Sequence, residues 1–263
     1  MQHDLPDRVG LLADGQHRPQ GLPVIDEVAL MNSVFYKGLE VVLIPFHDNV
    51  FYVMLRGGEA VVVDPAASEP VSSILRARNV RLTGVLITHR DPDHVAGVEA
   101  LVGSGVPIRW PAGRDESWTW QGLEIRAIDT PGHRREHTAY YLPDPEPGLL
   151  FSGDCLFAGG CGRLFGLPPE LMFTSLQRLA ALPGSTHVYC GHDYLAENMR
   201  FAATVDPSNP DVERRRQDAL AARSTGKILL PTTIEIEKKT NPFLRAQSVE
   251  EFAILRKKKD QFG

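Results

Sequence analysis

Short apolar runs recur along the first two thirds of the chain, each closed by a turn or a polar residue. Residues 41–44 and 51–55 predict two strands joined by the turn His47-Asp48-Asn49, and residues 60–63, after Gly57-Gly58, predict a third. Ser68 is placed to cap a helix running to about Arg78, with Glu69 in its first turn and Pro70 near its start. Residues 82–87 predict the next strand, and a helix over roughly 95–101 follows it. Further strands are predicted at 106–109, 123–128, 140–142, 149–152 and 188–190, with a helix at about 169–182 between the last two. Beyond residue 194 the pattern turns helical, apart from a short strand-like stretch at 233–236. Residues 211–223 read as a solvated amphipathic helix and 252–262 as a last helix with a basic face.

Ahead of the first strand, residues 1–38 are rich in Gly, Pro, Asp and His, and only 28–31 are clearly apolar. They read as an N-terminal extension, with His3 and His17 in solvent. The organisation predicted is therefore an extension at 1–38, an alternating strand-helix domain at 39–194 and a helical domain at 195–263.

A chain of 263 residues can bury a substantial core, and its net charge of −5 argues against a general nucleic-acid binder. No apolar run approaches the roughly 20 residues of a membrane span, and no secretory signal is visible, so neither a membrane nor a nucleic-acid partner is expected. The three cysteines, Cys155, Cys161 and Cys190, form no disulfide pattern and fit a reducing cytoplasm. Oligomeric state is not legible.

The chemistry concentrates at strand ends. After Val85-Leu86-Ile87 comes Thr88-His89-Arg90-Asp91-Pro92-Asp93-His94, which packs four potential ligands into six residues. Bunched imidazoles and carboxylates repel or desolvate one another unless a cation holds them. Four separate strands end in such a residue: His89, His133, Asp154 and His192. Ligands meeting at the tips of rigid elements suit a metal site on the rim of a packed sheet.

These motifs resemble the metallo-β-lactamase superfamily and, within it, glyoxalase II (hydroxyacylglutathione hydrolase), over about residues 41–263. Thr88-His89-x-x-x-Asp93-His94, Thr130-Pro131-Gly132-His133, and Gly153-Asp154-Cys155-Leu156-Phe157 followed by Gly160-Cys161-Gly162 carry the superfamily likeness. More specific to glyoxalase II are Cys190-Gly191-His192-Asp193-Tyr194 with Asn198, Asn241-Pro242-Phe243-Leu244-Arg245, and the closing residues 256–262. The resemblance implies an α/β fold, a four-layer αββα sandwich, with a C-terminal helical domain that helps bind substrate. It also implies two divalent transition metals, zinc or else iron or manganese. By position His89, residue 91 and His133 would form one site, and Asp93, His94 and His192 the other, with Asp154 bridging. Arg163, Phe165, Tyr194, Arg256 and Lys259 would contact substrate, Phe165 standing where the family has tyrosine.

The implied activity is hydrolysis of S-lactoylglutathione, or a related S-acyl-glutathione, to a 2-hydroxy acid and glutathione by a metal-bound hydroxide. Asp93 and Asp154 would serve chiefly as ligands and accept a proton hydrogen bond, and His137 would support the site without ligating. At residue 91 the family signature has histidine and this chain has aspartate. A carboxylate ligand is harder and charged, which favours manganese or iron over zinc and weakens Lewis acidity. Adjacent Arg90 could hold Asp91 away from the ion. Three readings follow: Asp91 ligates in a two-metal site, which is preferred; the second site works alone; or the protein only binds a ligand. The other readings of function are a glutathione-linked persulfide dioxygenase with one iron, and a non-catalytic thiol-binding protein with a degraded site.

Overall fold

A computed structural model of the chain describes residues 32–103 and 105–262. His3, His17 and the apolar residues 28–31 lie outside them. Two six-stranded sheets face each other. The first runs, in spatial order, β1 (Ser33–Tyr36), β2 (Leu39–Phe46), β3 (Asn49–Arg56), β4 (Glu59–Val63), β5 (Arg81–Leu86) and β6 (Ile108–Arg109). The second is built from β7 (Glu116–Trp120), β8 (Leu123–Asp129), β9 (Thr138–Leu142) and β10 (Leu149–Gly153). Beyond the small hairpin of β11 (Leu156–Phe157) and β12 (Gly160–Cys161), it is completed by β13 (His187–Cys190) and β14 (Thr232–Thr233).

The helices are α1 (Ser68–Arg78), α2 (Pro92–Val95), α3 (Val98–Val102), α4 (Pro169–Ala180) and α5 (Leu195–Val205). After them come α6 (Pro210–Ser224), α7 (Ile234–Thr240), α8 (Pro242–Arg245) and α9 (Val249–Asp260). None of these is long and apolar enough to cross a membrane.

Strand alternation sorts the apolar runs into layers. Val41 and Leu43 of β2, Tyr52 and Met54 of β3, Ile125 of β8 and Phe151 of β10 fill the space between the sheets. Val42, Val53, Val62 and Val85 point the other way, onto Val71 and Ile74 of α1. Leu150 and Val188 on the far side of the second sheet meet Met172, Leu176 and Leu179 of α4. Strands buried on both faces explain why these segments read as continuous apolar runs instead of alternating ones. The four expected layers are present.

The structure departs from the sequence reading at several elements. Residues 33–36, placed in the extension, form β1 and pair with β2. β7 was unseen because Glu116-Ser117-Trp118-Thr119-Trp120 alternates polar with aromatic residues and holds no apolar run. The helix expected over 95–101 is two short pieces broken at Gly97. There the backbone passes so close to the α1 entry that a Cβ would lie 2.6 Å from the Ala67 carbonyl carbon and 2.7 Å from Pro65 O. Ser68 does not cap; Ala67 holds that position without a side-chain bond. Of the strand-like 233–236, only Thr233 belongs to β14, since its hydroxyl accepts from Ile236 N and starts α7.

The C-terminal helices share the outer core of the second sheet: Phe201 of α5, Ile234, Phe243 and Phe252 join the cluster around α4. Buried Glu237 ties them to the turn between β11 and β12. It accepts from Gly159 N at 2.8 Å, Thr232 Oγ1 at 2.8 Å and Asn241 Nδ2 at 3.0 Å, and pairs with Arg215. Removing one member of a buried pair strands the other, so Glu237→Ala is expected to destabilise the fold by about 3–5 kcal/mol in chemical unfolding. A loss under 1 kcal/mol would contradict the role given to Glu237.

Candidate metal centre

Strand tips from both sheets meet at one end of the sandwich. β4 ends in Asp64, β5 leads to Thr88-His89, β8 to Thr130 and His133, β10 to Asp154, and β13 to His192. The β2–β3 turn closes the gap, since Val50 N donates to Gly191 O at 2.8 Å and Asp193 N to Asp48 O at 3.3 Å. Thr138 N donates to Thr88 O at 2.8 Å and clamps the second sheet to the loop that carries His89. Gly153 packs against that loop so closely that a Cβ would lie 2.7 Å from Thr88 Cβ, and its φ of 48° is one that glycine adopts without strain.

Each histidine is fixed by its Nδ1. His133 donates to Arg163 O at 3.0 Å, His192 to Asp48 O at 3.1 Å and His94 to Asp64 Oδ2 at 3.0 Å; these oxygens can only accept. His89 Nδ1 lies 3.0 Å from Thr88 Oγ1, whose own proton goes to Asp64 Oδ2 at 2.6 Å. With every Nδ1 carrying a proton, each ring in its neutral form presents the lone pair of Nε2. The Nε2 atoms of His89, His94 and His133, with Asp154 Oδ1, are buried and have no hydrogen-bond partner among the described residues.

Those lone pairs converge in two groups. Tetrahedral ligands at about 2.1 Å from an ion lie about 3.4 Å from one another. Asp91 Oδ2 is 3.4 Å from His133 Nε2 and 3.7 Å from His89 Nε2, and Asp154 Oδ2 is 3.6 Å from His133 Nε2. In the second group Asp154 lies 3.4 Å from both His94 Nε2 and His192 Nε2, and Asp93 Oδ2 is 3.5 Å from His192 Nε2 and 3.8 Å from His94 Nε2. Buried imidazoles pointing lone pairs at one another are costly unless a cation lies between them, so this donor set fits metal ions.

The charges agree. Burial works to raise the Asp154 pKa, but His94 and His192 outweigh it and hold the carboxylate ionised. Burial alone would lower the His94 pKa; Asp154 and Asp64 outweigh it and bring it to about 9, so the surrounding carboxylates favour a positive charge at this ring, whether a proton or a metal ion at Nε2. His137 differs, pushed down to about 3 chiefly by burial. It stays neutral, its Nε2 accepting from Asp154 N at 3.2 Å and its Nδ1 facing Thr130 Oγ1 at 2.8 Å. It braces the Asp154 turn without ligating, as the sequence suggested.

Asp91 turns inward, and its ionic partner is not Arg90. Arg90 lies over the Trp110 ring and 3.7 Å from Glu136. The partner is Arg134, which donates Nε to Oδ1 and a terminal nitrogen to Oδ2, both at 2.7 Å. Burial works to raise the Asp91 pKa, but these bonds outweigh it and keep the carboxyl below its usual range.

The residues expected to contact substrate fare unequally. Tyr194 stacks on His192 with ring centroids 4.8 Å apart, and its hydroxyl donates to Asp48 Oδ2 at 2.8 Å. Phe165 is exposed at the rim beside His133. Arg163 is exposed, and Lys259 lies on α9 facing Glu197 O at 3.3 Å. Arg256 is only 4 % exposed; it donates to Cys161 O at 2.9 Å and to Asp260 Oδ1 at 2.8 Å. It braces the β12 segment and is not a free cation.

Three supporting residues escaped the sequence reading. Asp64 bonds Thr88 N at 2.7 Å as well as Thr88 Oγ1 and His94 Nδ1. It carries the same signature as the ligands, a polar residue ending an apolar run. Asn49 Nδ2 holds Asp93 Oδ2 at 3.2 Å, and Arg134 holds Asp91; neither contact crosses a span that local pattern can read.

Comparison with known proteins agrees with this geometry. Residues 44–130 match the metallo-β-lactamase superfamily model, and residues 193–262 match the hydroxyacylglutathione hydrolase C-terminus. A metallo-β-lactamase from Staphylococcus aureus superposes with a TM-score of 0.60 at 18% identity, over 86% of this chain and 74% of that one. ETHE1 from Myxococcus xanthus does so with 0.54 at 24% identity, over 86% and 88%. These establish the fold, that of the metallo-β-lactamase superfamily. The hydroxyacylglutathione hydrolase of Alkalilimnicola ehrlichii is 42% identical over 257 residues, covering 84% of this chain and 99% of that one. That of Pseudomonas savastanoi pv. phaseolicola is 43% identical over 225 residues, covering 79% and 87%. The chain belongs to the hydroxyacylglutathione hydrolase family.

Because both Asp64 oxygens are occupied on the Nδ1 side of the cluster, Asp64 acts by orienting His94 and, through Thr88, His89. Asp64→Asn is expected to lower divalent-metal affinity about 10–100-fold, read by chelator competition. Unchanged affinity would rule that orientation out.

Proposed function

We propose that the protein is a metal-dependent thioesterase that hydrolyses S-lactoylglutathione, or a related S-acyl-glutathione, to a 2-hydroxy acid and glutathione. The observation that carries the reading is the convergence of histidine nitrogens and carboxylate oxygens in two groups, with Asp154 close to histidines of both. His89, Asp91 and His133 would hold one divalent ion and Asp93, His94 and His192 the other, both transition metals, zinc or else iron or manganese. Bound there, such ions supply a water of lowered pKa and polarise the thioester carbonyl. The chain's own residues do the rest. Asp154 presents Oδ1 towards His94 and Oδ2 towards His133 and His192, so one carboxylate spans both groups. Asp93, steadied by Asn49, offers an oxygen that can accept a hydrogen bond from the attacking water. Collapse of the tetrahedral intermediate breaks the carbon–sulfur bond, and a thiolate leaves without needing a strong general acid.

Residues 195–263 would form the helical substrate-binding part. Arg163 and Lys259 supply cations for the glutathione carboxylates, Tyr194 and Phe165 line the approach, and Arg256 positions β12 beneath Arg163. Burial, then the charges of Arg256 and Arg200, pull the Lys259 pKa down to about 8, and Arg163 adds to the effect. Among the described residues no acid forms a salt bridge with Lys259, and such a cationic cluster suits an anionic ligand. The second complete group of donors, Asp93, His94 and His192 beside Asp154, supports two ions over the single-iron alternative.

Metal-loaded protein is expected to hydrolyse S-lactoylglutathione; intact substrate alongside turnover of other esters or lactones would overturn the substrate assignment. Lys259 binds carboxylate only while protonated, so KM should be flat below about pH 8 and rise above it. Lys259→Met should raise KM about tenfold at neutral pH and abolish that rise. An unaltered KM profile would place the glutathione elsewhere.

A further inference from the structure

Arg134 does to Asp91 what the sequence alone would not suggest. The guanidinium meets the carboxylate fork to fork, Nε to Oδ1 and a terminal nitrogen to Oδ2, each at 2.7 Å. It is clamped from the other side as well. Its central carbon lies 3.8 Å over the Phe165 ring, which packs against the His133 ring in a T-shaped pair with centroids 5.2 Å apart. Phe165 reaches that position from a left-handed backbone, φ 47°, which bulky residues rarely adopt. Asp91, Arg134, Phe165 and His133 thus form one closed ring of contacts at the mouth of the first group of donors.

Two consequences follow. Geometrically, Oδ2 is the Asp91 oxygen close to His89 Nε2 and His133 Nε2, at 3.7 and 3.4 Å. Oδ1 is turned to Arg134 Nε. A carboxylate oxygen has two acceptor positions, so Oδ2 keeps one after bonding Arg134 and can offer it to an ion, while chelation through both oxygens is blocked. Electrostatically, the Asp91–Arg134 unit has no net charge. The first group, counted with Arg134, carries the charge it would have with a neutral imidazole at residue 91.

We propose that Arg134 is a positioning residue that turns Asp91 into a neutral, single-oxygen ligand, a stand-in for an imidazole. On this reading Arg134 keeps the site of His89, Asp91 and His133 suited to zinc. A bare aspartate, harder, charged and free to chelate, would move it towards manganese. The inference rests on the proposal that these residues hold divalent ions.

The test is metal binding itself. Demetallated full-length protein is titrated with Zn²⁺ and separately with Mn²⁺ against a chromophoric chelator, with stoichiometry from elemental analysis. In Arg134→Gln the Mn²⁺-to-Zn²⁺ affinity ratio of the weaker site is expected to rise about tenfold. Arg134→Lys keeps a charge but loses the fork, and should raise the ratio severalfold. It serves as the decisive variant should thermal unfolding show that Arg134→Gln does not fold. An unchanged ratio, or loss of ion binding at that site in the folded variants, overturns the proposal. Wild-type protein that takes up neither ion would sink the metal reading itself. Two ions bound by the wild type with the same ratio in the variants would sink only the role of Arg134.

Discussion

The structure depends on one recurring hydrogen bond, that between a histidine Nδ1–H and a fixed oxygen. Arg163 O, Asp48 O, Asp64 Oδ2 and Thr88 Oγ1 each take such a proton, and each oxygen is itself held by backbone or by a further bond. The result is four rings whose free nitrogens face a common centre. Without those acceptors a buried imidazole would have a choice of tautomer and of rotation, and the donor set would not be preorganised.

Everything larger serves that arrangement. Two sheets with apolar faces on both sides are stiff, and their tips are a poor place for a polar residue unless something rewards it there. The tips of β4, β5, β8, β10 and β13, with the turn between β2 and β3 and the segment after β12, deliver the acceptors as well as the donors. The C-terminal helices are bound into the same framework through Glu237 and the aromatic cluster of Phe201, Phe243 and Phe252. Arg163, two residues beyond β12, and Lys259 on α9 are carried on elements of this framework.

Asp91 shows how a charged residue can be absorbed where the family pattern has histidine. In isolation it is a change of charge, hardness and shape. Within the fold it meets Arg134, and the pair presents one oxygen and no net charge. Phe165, which lacks the hydroxyl of the family's tyrosine, has its ring face against that arginine. The two departures from the family pattern thus meet in a single contact cluster.

Much of this was legible in the chain. Apolar runs located most strands, the ligand-type residues at their ends located the centre, and the C-terminal motifs located the family. These signals are local, because burial on both faces writes itself into consecutive residues and a strand tip is adjacent in sequence to its strand. Where pattern failed, the information was not local: β7 alternates, β1 gains its meaning only from β2, and Gly97 breaks a helix because of Pro65 and Ala67. The same holds at the centre. Sequence named Asp91 as the anomaly and its neighbour Arg90 as the candidate partner, whereas the fold brings Arg134 across 43 positions to bind it. It also withdraws Arg256 into the interior. Which residues bear the chemistry was written in residue type and spacing; which of them touch, and with what protonation, was decided by packing two sheets face to face.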